Sequence, residues 1–319
     1  MSKESYRFLA TGGAGPIGFR IAIGFLQLKH EVLLFDINYP TQKWDSNVRF
    51  SSDDNSGEME EMTCSFGKMN FVQGDVRDIN VLMKITKTLL VSSILQMPRY
   101  IGVMEDIYVH GTRNVIEACA HNHVRVLVYT SSSNNTFGGD VILNGDENLP
   151  YFPLHRHVDH SSRTKAIAEQ LVLTSNGRGE LRTCALKLPG VIGPGDTRIL
   201  PRLAWAVRNG LLVFTFADKH GSFIDWIGRD NAVQGHVKAA LKLADLDPTS
   251  SEIGGQAFFL SEEQPMPFSQ YTKPLYHHYG QPLPTTSIVA HAVRYSFSYL
   301  GTKFTVCFLI RLCSTLQLF

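Results

Sequence analysis

Glycines stand at positions 12, 15 and 18 of Thr11-Gly12-Gly13-Ala14-Gly15-Pro16-Ile17-Gly18, between a strand-like run and a helix-patterned one. A strand that ends in such a turn and leads into a helix can bind an anion. Gly12 permits the tight turn, Gly15 lets the backbone approach a diphosphate, Gly18 lets helix and strand pack closely, and the helix amino terminus offers N–H groups. Asp36 lies 18 residues beyond Gly18, at the end of a second apolar run, close to the ~20 at which an acidic side chain hydrogen-bonds an adenosine ribose. Its charge repels a 2′-phosphate, which favours NAD over NADP. Asp75, in Gly74-Asp75-Val76 after a third strand-like run, could reach the adenine edge or simply build a turn.

A second set of reactive groups lies further along. Val128-Tyr129-Thr130-Ser131-Ser132-Ser133 closes a strand on hydroxyls, which at a strand's carboxyl end face a cofactor crevice. His155, His157 and His160 precede a helix expected over Ser162–Leu173, which carries Lys165. The histidines have no recognised ligand spacing and no neighbouring cysteine, so no metal site is expected.

The elements that must position these groups follow a βαβ rhythm. Arg7–Thr11, Val32–Phe35, Met69–Val72, Val124–Tyr129 and Thr183–Lys187 read as strands, while Pro16–Lys29 and Gly111–His121 read as helices. The alternation predicts an α/β fold with parallel strands joined by right-handed crossovers. Ser51–Thr63 is polar and acidic without periodicity and reads as a mobile loop. Between Asp78 and Asp106 only Thr88–Leu95 could supply a strand. From about Leu200 the alternation weakens and Pro and aromatic residues accumulate, which places a substrate lobe there; Phe268, Tyr276 and Tyr279 could line its pocket or simply pack.

With 319 residues, 44% hydrophobic and 18% charged, the chain can build a sizeable core. Thirty basic against 29 acidic side chains give a net charge of +1, which offers no pull toward nucleic acid. Five scattered cysteines without a C-x-x-C pair argue against a disulfide framework and for a reducing compartment. Met1–Arg7 is too polar to open a secretory signal, so the amino terminus reads as cytosolic. Phe304–Phe319 is apolar but interrupted by Arg311 and shorter than the ~20 residues of a spanning helix. It either lies on a membrane surface or packs as an ordinary terminal helix.

The glycine turn, Asp36, Tyr129-Thr130-Ser131, Phe137-Gly138-Gly139, Asn144-Gly145-Asp146-Glu147, Leu149-Pro150-Tyr151, Ser162-Arg163-Thr164-Lys165 and Leu181-Arg182-Thr183-Cys184 appear together and in order. In this the chain resembles the extended short-chain dehydrogenases/reductases, and among them the 3β-hydroxysteroid dehydrogenase/isomerase family, nearest its 42E subfamily. The resemblance spans most of residues 5–262. It implies a Rossmann-type doubly wound parallel sheet over 5–199, a smaller substrate lobe over 200–285 interleaved with it, and an apolar segment over 286–319. It further implies NAD as cofactor and a small steroid-like substrate oxidised at a hydroxyl, on the cytoplasmic face of a membrane such as the endoplasmic reticulum. A homo-oligomer is left open.

Cofactor contacts are expected at Gly12, Gly15, Pro16, Ile17, Gly18, Asp36, Asp75, Val76, Lys165 and Pro189, and catalytic roles at Lys165, Ser133 and position 161. The family's chemistry uses a tyrosine four residues before the lysine, on the same helix face. The phenolate moves the alcohol proton, the lysine lowers its pKa and holds the ribose, and a hydroxyl such as Ser133 or Ser132 orients the substrate oxygen. The tyrosine's place is taken by Ser161, whose alkoxide is far too basic for the task. Tyr108 likewise replaces the asparagine usual before Val-x-Gly-Thr, here Val109-His110-Gly111-Thr112. The resemblance therefore leaves two readings, a hydroxysteroid dehydrogenase and a dinucleotide-binding protein that has lost turnover.

Overall fold

The computed structural model describes residues 5–41, 45–50, 59–88, 91–94, 103–138, 142–157, 159–194, 196, 199–212, 214–216, 223–245 and 252–288. Its first half alternates strand and helix. β1 (Arg7–Thr11) leads into α1 (Pro16–Gln27), then β2 (Glu31–Asp36), β3 (Arg49–Phe50), β4 (Glu60–Cys64), β5 (Gly67–Gln73) and α2 (Ile79–Ile85). β6 (Val91–Ile94) follows, then α3 (Thr112–His121), β7 (Val126–Ser132), α4 (His160–Thr174) and β8 (Arg182–Leu188). After β9 (Gly190–Ile192), α5 (Leu200–Arg208), β10 (Phe214–Phe216), β11 (Phe223–Ile224) and β12 (Trp226–Gly228) come α6 (Arg229–Ala244) and β13 (Gln256–Phe259). β14 (Met266–Pro267), α7 (Phe268–His278) and β15 (Thr286–Ile288) complete the described chain.

Nine strands form one sheet in the order β13-β8-β7-β6-β1-β2-β5-β4-β3. All pairs from β13 to β5 are parallel, and β4 and β3 extend the far edge as antiparallel strands. The chain winds outward from β1 through β2 to β5, then resumes on the other side at β6. The order reverses between β1 and β6, the switch point at whose carboxyl ends such sheets bind ligands. Every residue of β7 is buried, as expected of a parallel strand covered by helices on both faces. One apolar cluster joins Leu9, Phe35, Leu82, Val115, Leu127 and Val172.

The segment expected to be a loop over Ser51–Thr63 is corrected in part. Residues 51–58 lie outside the described ones, but β4 begins at Glu60 and pairs with β5 across the two-residue loop Ser65-Phe66. Gly67, at φ +132°, supplies the backbone conformation that this loop needs, and Met62 is fully buried. One apolar side chain in a polar run is too weak a periodicity to read. The strand sought between Thr88 and Leu95 is β6, seated between β1 and β7.

The chain divides into two compact units. The first holds the described residues up to Leu188 together with Arg229–Leu260; the second holds those of Pro189–Gly228 and of 261–288. The boundary expected at 199/200 thus falls after β8, and α6 with β13 returns to the first unit because β13 pairs with β8. In the second unit Phe268 and Tyr276 pack with Leu203, Val207, Leu212 and Trp226, and the Tyr276 hydroxyl donates to Leu212 O at 2.5 Å.

α6 is fastened to β7 by a buried histidine. His236 Nδ1 lies 2.7 Å from Ala232 O, and Nε2 lies 2.7 Å from Thr130 Oγ1. A carbonyl only accepts, so the ring proton sits on Nδ1 and Thr130 donates to Nε2. Burial lowers the imidazole pKa from 6.5 to about 4. A folded-state pKa below the unfolded one stabilises the protein above the unfolded value, and that stability is lost as pH falls from 6.5 toward 4. The full contribution is on the order of 3 kcal/mol. Denaturant melts above and below this window should show the loss, and a His236→Gln variant should show a flatter pH dependence than the wild type.

Candidate active site

The turn after β1 is built around contacts that admit no side chain. Gly12 has φ +69°, a left-handed conformation. Gly15 N–H donates to Gly12 O at 3.0 Å, and Gly13 N–H to Phe35 O at 3.2 Å. A Cβ at Gly13 would lie 2.7 Å from Ala10 O and 2.8 Å from Leu34 Cδ2, and one at Gly18 would overlap the Gly12 carbonyl oxygen. Helix and strand therefore meet backbone to backbone. Pro16 opens α1 where its missing N–H costs nothing, followed by Ile17, which is buried. The N-cap Gly15 makes no side-chain cap, and no acidic residue sits in the first turn. The first turn of the helix thus carries no acidic side chain, which fits a diphosphate.

Asp36 ends β2 beside this turn, its Oδ2 accepting from Ala14 N–H and its Oδ1 from Asn38 N–H, each at 3.0 Å. Burial raises its pKa above the ordinary 3.8, against the pull of these backbone N–H groups. The carboxylate is thereby fixed at the crevice end of β2. Asp75 takes the turn-building alternative: Oδ1 accepts from Arg77 N–H at 2.9 Å, and Oδ2 from Arg77 Nε and Nη2 at 2.9 and 2.6 Å. The Arg77 guanidinium holds the Asp75 carboxyl below its ordinary value. Val76 is buried against Gly111, where a Cβ would lie 2.7 Å from Val76 Cγ2. Asn114 Nδ2 donates to Val76 O at 3.1 Å and to Arg77 O at 3.0 Å, which locks the loop.

Lys165 sits in the second turn of α4, whose N-cap Asp159 accepts from Ser162 N–H at 2.8 Å. The helix is longer than expected by two residues at its start, so Ser161 lies inside its first turn, partly buried. Lys165 is buried, and its ammonium lies over the Tyr108 ring, 5.5 Å from the centroid. Ser132, also buried, accepts from Asn134 N–H at 3.3 Å and starts the short helical turn Ser133–Asn135. Ser133 is half-buried on that turn. Pro189 is the first residue of the second unit. Among the described residues no group of three or more His, Cys, Asp or Glu side chains is placed to hold a metal, and no helix is long and apolar enough to cross a membrane. Residues 304–319 lie outside the described ones.

Sequence reasoning missed a buried polar cluster directly beneath these groups. Glu169, fully buried and one helical turn beyond Lys165, accepts from Ser131 Oγ, from Asn135 Nδ2 at 2.9 Å and from Tyr151 OH at 2.5 Å. Lys187 Nζ lies 3.4 Å from Glu169 Oε1 and 4.9 Å from the ring centroids of both Tyr151 and Phe259. The available signal was a lone charge in each of two apolar runs, Ala166–Val172 and Thr183–Leu188, since buried charges must be paired.

A doubly wound sheet, a side-chain-free turn at its switch point and an acidic residue ending the second strand define a dinucleotide-binding α/β protein. The sequence profile of the 3-beta hydroxysteroid dehydrogenase/isomerase family matches residues 9–290, further than the motifs alone reach, and the chain belongs to that family. It is 36% identical over 314 residues to human short-chain dehydrogenase/reductase family 42E member 1, covering 93% of this chain and 73% of the relative. It is 30% identical over 278 residues to the decarboxylating sterol-4-alpha-carboxylate 3-dehydrogenase of Candida albicans, covering 84% and 73%. A solved enzyme from Bordetella bronchiseptica, WbmH in complex with NAD+, superposes with a TM-score of 0.65 at 16% identity, covering 90% of this chain and 85% of that one.

Because the turn has no room at position 18, Gly18→Ala should push α1 off β1. A loss of about 1–3 kcal/mol is expected from such overpacking, read as a lower midpoint in denaturant melts, together with loss of any melting shift caused by dinucleotide.

Proposed function

We propose that the chain is an NAD-dependent oxidoreductase that oxidises a secondary alcohol of a hydroxysteroid-like substrate to the ketone. The observation that carries this reading is the glycine turn packed against β1, with Asp36 fixed beside it. Gly12, Gly15 and Gly18 clear the space for a diphosphate, and Pro16 and Ile17 open the helix whose amino terminus faces it. Asp36 accepts from the adenosine ribose and excludes a 2′-phosphate. In this reading Val76, Lys165 and Pro189 complete the cofactor's surroundings, and Asp75 acts by shaping its loop. Bound there, NAD supplies the hydride acceptor. Lys165 holds the nicotinamide ribose, and its ammonium favours a nearby anion. Ser133, or Ser132 beside it, orients the substrate oxygen.

A steroid-like substrate is supported by family membership and by the sterol named for the Candida albicans relative. The second unit is assigned to substrate binding. A location on the cytoplasmic face of a membrane, with contact through 304–319, and self-association belong to the same reading and rest on the resemblance and the apolar composition of that segment.

One observation favours a second reading: Ser161 stands where the family carries its tyrosine, which would leave a dinucleotide-binding protein without turnover. Both readings expect NAD to raise the melting temperature, by the equivalent of about 2.7 kcal/mol at a hundred times its Kd, and NADP to raise it less. They separate on a panel of 3β-hydroxysteroids. NADH formation by the purified protein supports the dehydrogenase; NADH formed only by a Ser161→Tyr variant supports the second reading. Calorimetry that shows no heat when NAD is titrated into folded protein overturns both.

A further inference from the structure

We propose that Tyr108 supplies the phenol that position 161 lacks, so that Tyr108 and Lys165 form the proton-transferring pair of the site. The inference deepens the dehydrogenase reading and rests on it. The reaction needs a phenol beside an ammonium, because the ammonium favours the phenolate that takes the alcohol's proton. Ser161 has no phenol to offer.

The structure brings an aromatic ring that carries a phenol to the Lys165 ammonium from a different element. Tyr108 lies in a π-helical turn, Asp106–Gly111, that runs into α3. Lys165 Nζ lies 5.5 Å from the Tyr108 ring centroid. The two residues are only 4% and 7% exposed, so solvent screens their interaction little. Topology places both on the crevice side. The turn with α3 follows β6 and α4 follows β7, and each crossover helix starts at the carboxyl edge of the sheet, where the glycine turn also lies. The extra residue of a π turn re-aims side chains and is frequent at functional sites. Gly111, with Val76 against it, gives this one a close-packed backing.

Burial makes two other phenols near α4 harder to ionise, although the Tyr129 hydroxyl has no hydrogen-bond partner among the described residues. Tyr151 donates to Glu169, and burial with that carboxylate nearby pushes its ionisation far up. Tyr129 is fully buried on β7, and burial likewise raises its pKa well above the ordinary value. Groups facing Tyr108 include the Lys165 ammonium from α4 and the Tyr129 phenol from β7. On its own turn, Glu105 and Asp106 are exposed, and Glu105 lies 3.6 Å from Arg163 and 3.8 Å from His160.

In the oxidation the substrate O–H proton passes to the phenolate oxygen of Tyr108 while the carbinol C–H hydrogen leaves as hydride. The C–O bond becomes C=O, two electrons pass with the hydride to the oxidised nicotinamide, and the phenol returns its proton to solvent.

The test is a spectroscopic titration of tyrosine ionisation in the full chain, which needs no turnover, followed by kinetics. In the wild type one phenol should ionise at least one unit below the ordinary ~10. Tyr108→Phe should remove that step, and Lys165→Met should move it upward by about a unit or more. With a hydroxysteroid that the wild type oxidises, Tyr108→Phe should lower kcat by about 100-fold or more and leave the KM for NAD within about twofold. A titration curve unchanged by Tyr108→Phe overturns the proposal whether or not the protein turns over. If Tyr108→Phe does not fold, a low phenol step that Lys165→Met leaves in place overturns it equally. A Lys165-dependent phenol at Tyr108 in a protein inactive on every hydroxysteroid sustains the pairing and counts against the dehydrogenase reading instead.

Discussion

The arrangement of the site depends on a carboxylate that water does not reach. Glu169 gathers hydrogen bonds from the end of β7, from the turn that follows it and from the loop at Tyr151, and Lys187 on β8 balances its charge. An ion this deep is tolerable only with a partner and with its remaining lone pairs filled. Each element that supplies a partner is therefore held in one place. Those elements also carry Ser132 and Ser133, and Lys165 stands one turn from Glu169 along the same helix face. The position of the site groups is thus set by electrostatic necessity beneath them. The Tyr151 and Phe259 rings, set against the Lys187 ammonium, extend the same constraint to β13.

The parts of this molecule that could be read from sequence are those governed by short-range steric rules. The glycine turn is one: its spacing, its place after a strand and Asp36 beyond it give the structure's turn almost residue for residue, because a Cβ at position 18 would strike the Gly12 carbonyl whatever the rest of the chain did. The buried strands β1, β2, β7 and β8 were similarly plain as apolar runs. β4 was hidden because only Met62 in an acidic stretch faces inward.

What escaped was chemistry between residues far apart in the chain. Thr130 and His236 are 106 positions apart, and Ser131 and Glu169 are 38 apart. Neither partner of such a pair carries a local mark of the other. Tyr108 was legible only as a departure from the family pattern. That its ring lies beside Lys165 follows from the neighbouring places of β6 and β7 in the sheet, which no spacing rule encodes. The points where the chain leaves and re-enters the first unit were hidden for the same reason, since α6 and β13 join that unit through contacts with β7 and β8.

That division has a consequence for how the protein is made. The chain leaves the first unit after β8, traverses Pro189–Gly228 and only then supplies α6 and β13. A ribosome delivering residues from the amino terminus therefore exposes β8 as an unprotected apolar edge while the intervening stretch is still being translated. The nascent nucleotide-binding half lacks the strand that covers this edge until β13 has left the exit tunnel. Completion of the sheet is thus tied to synthesis of most of the polypeptide, and the interval before it is when chaperones have most to shield.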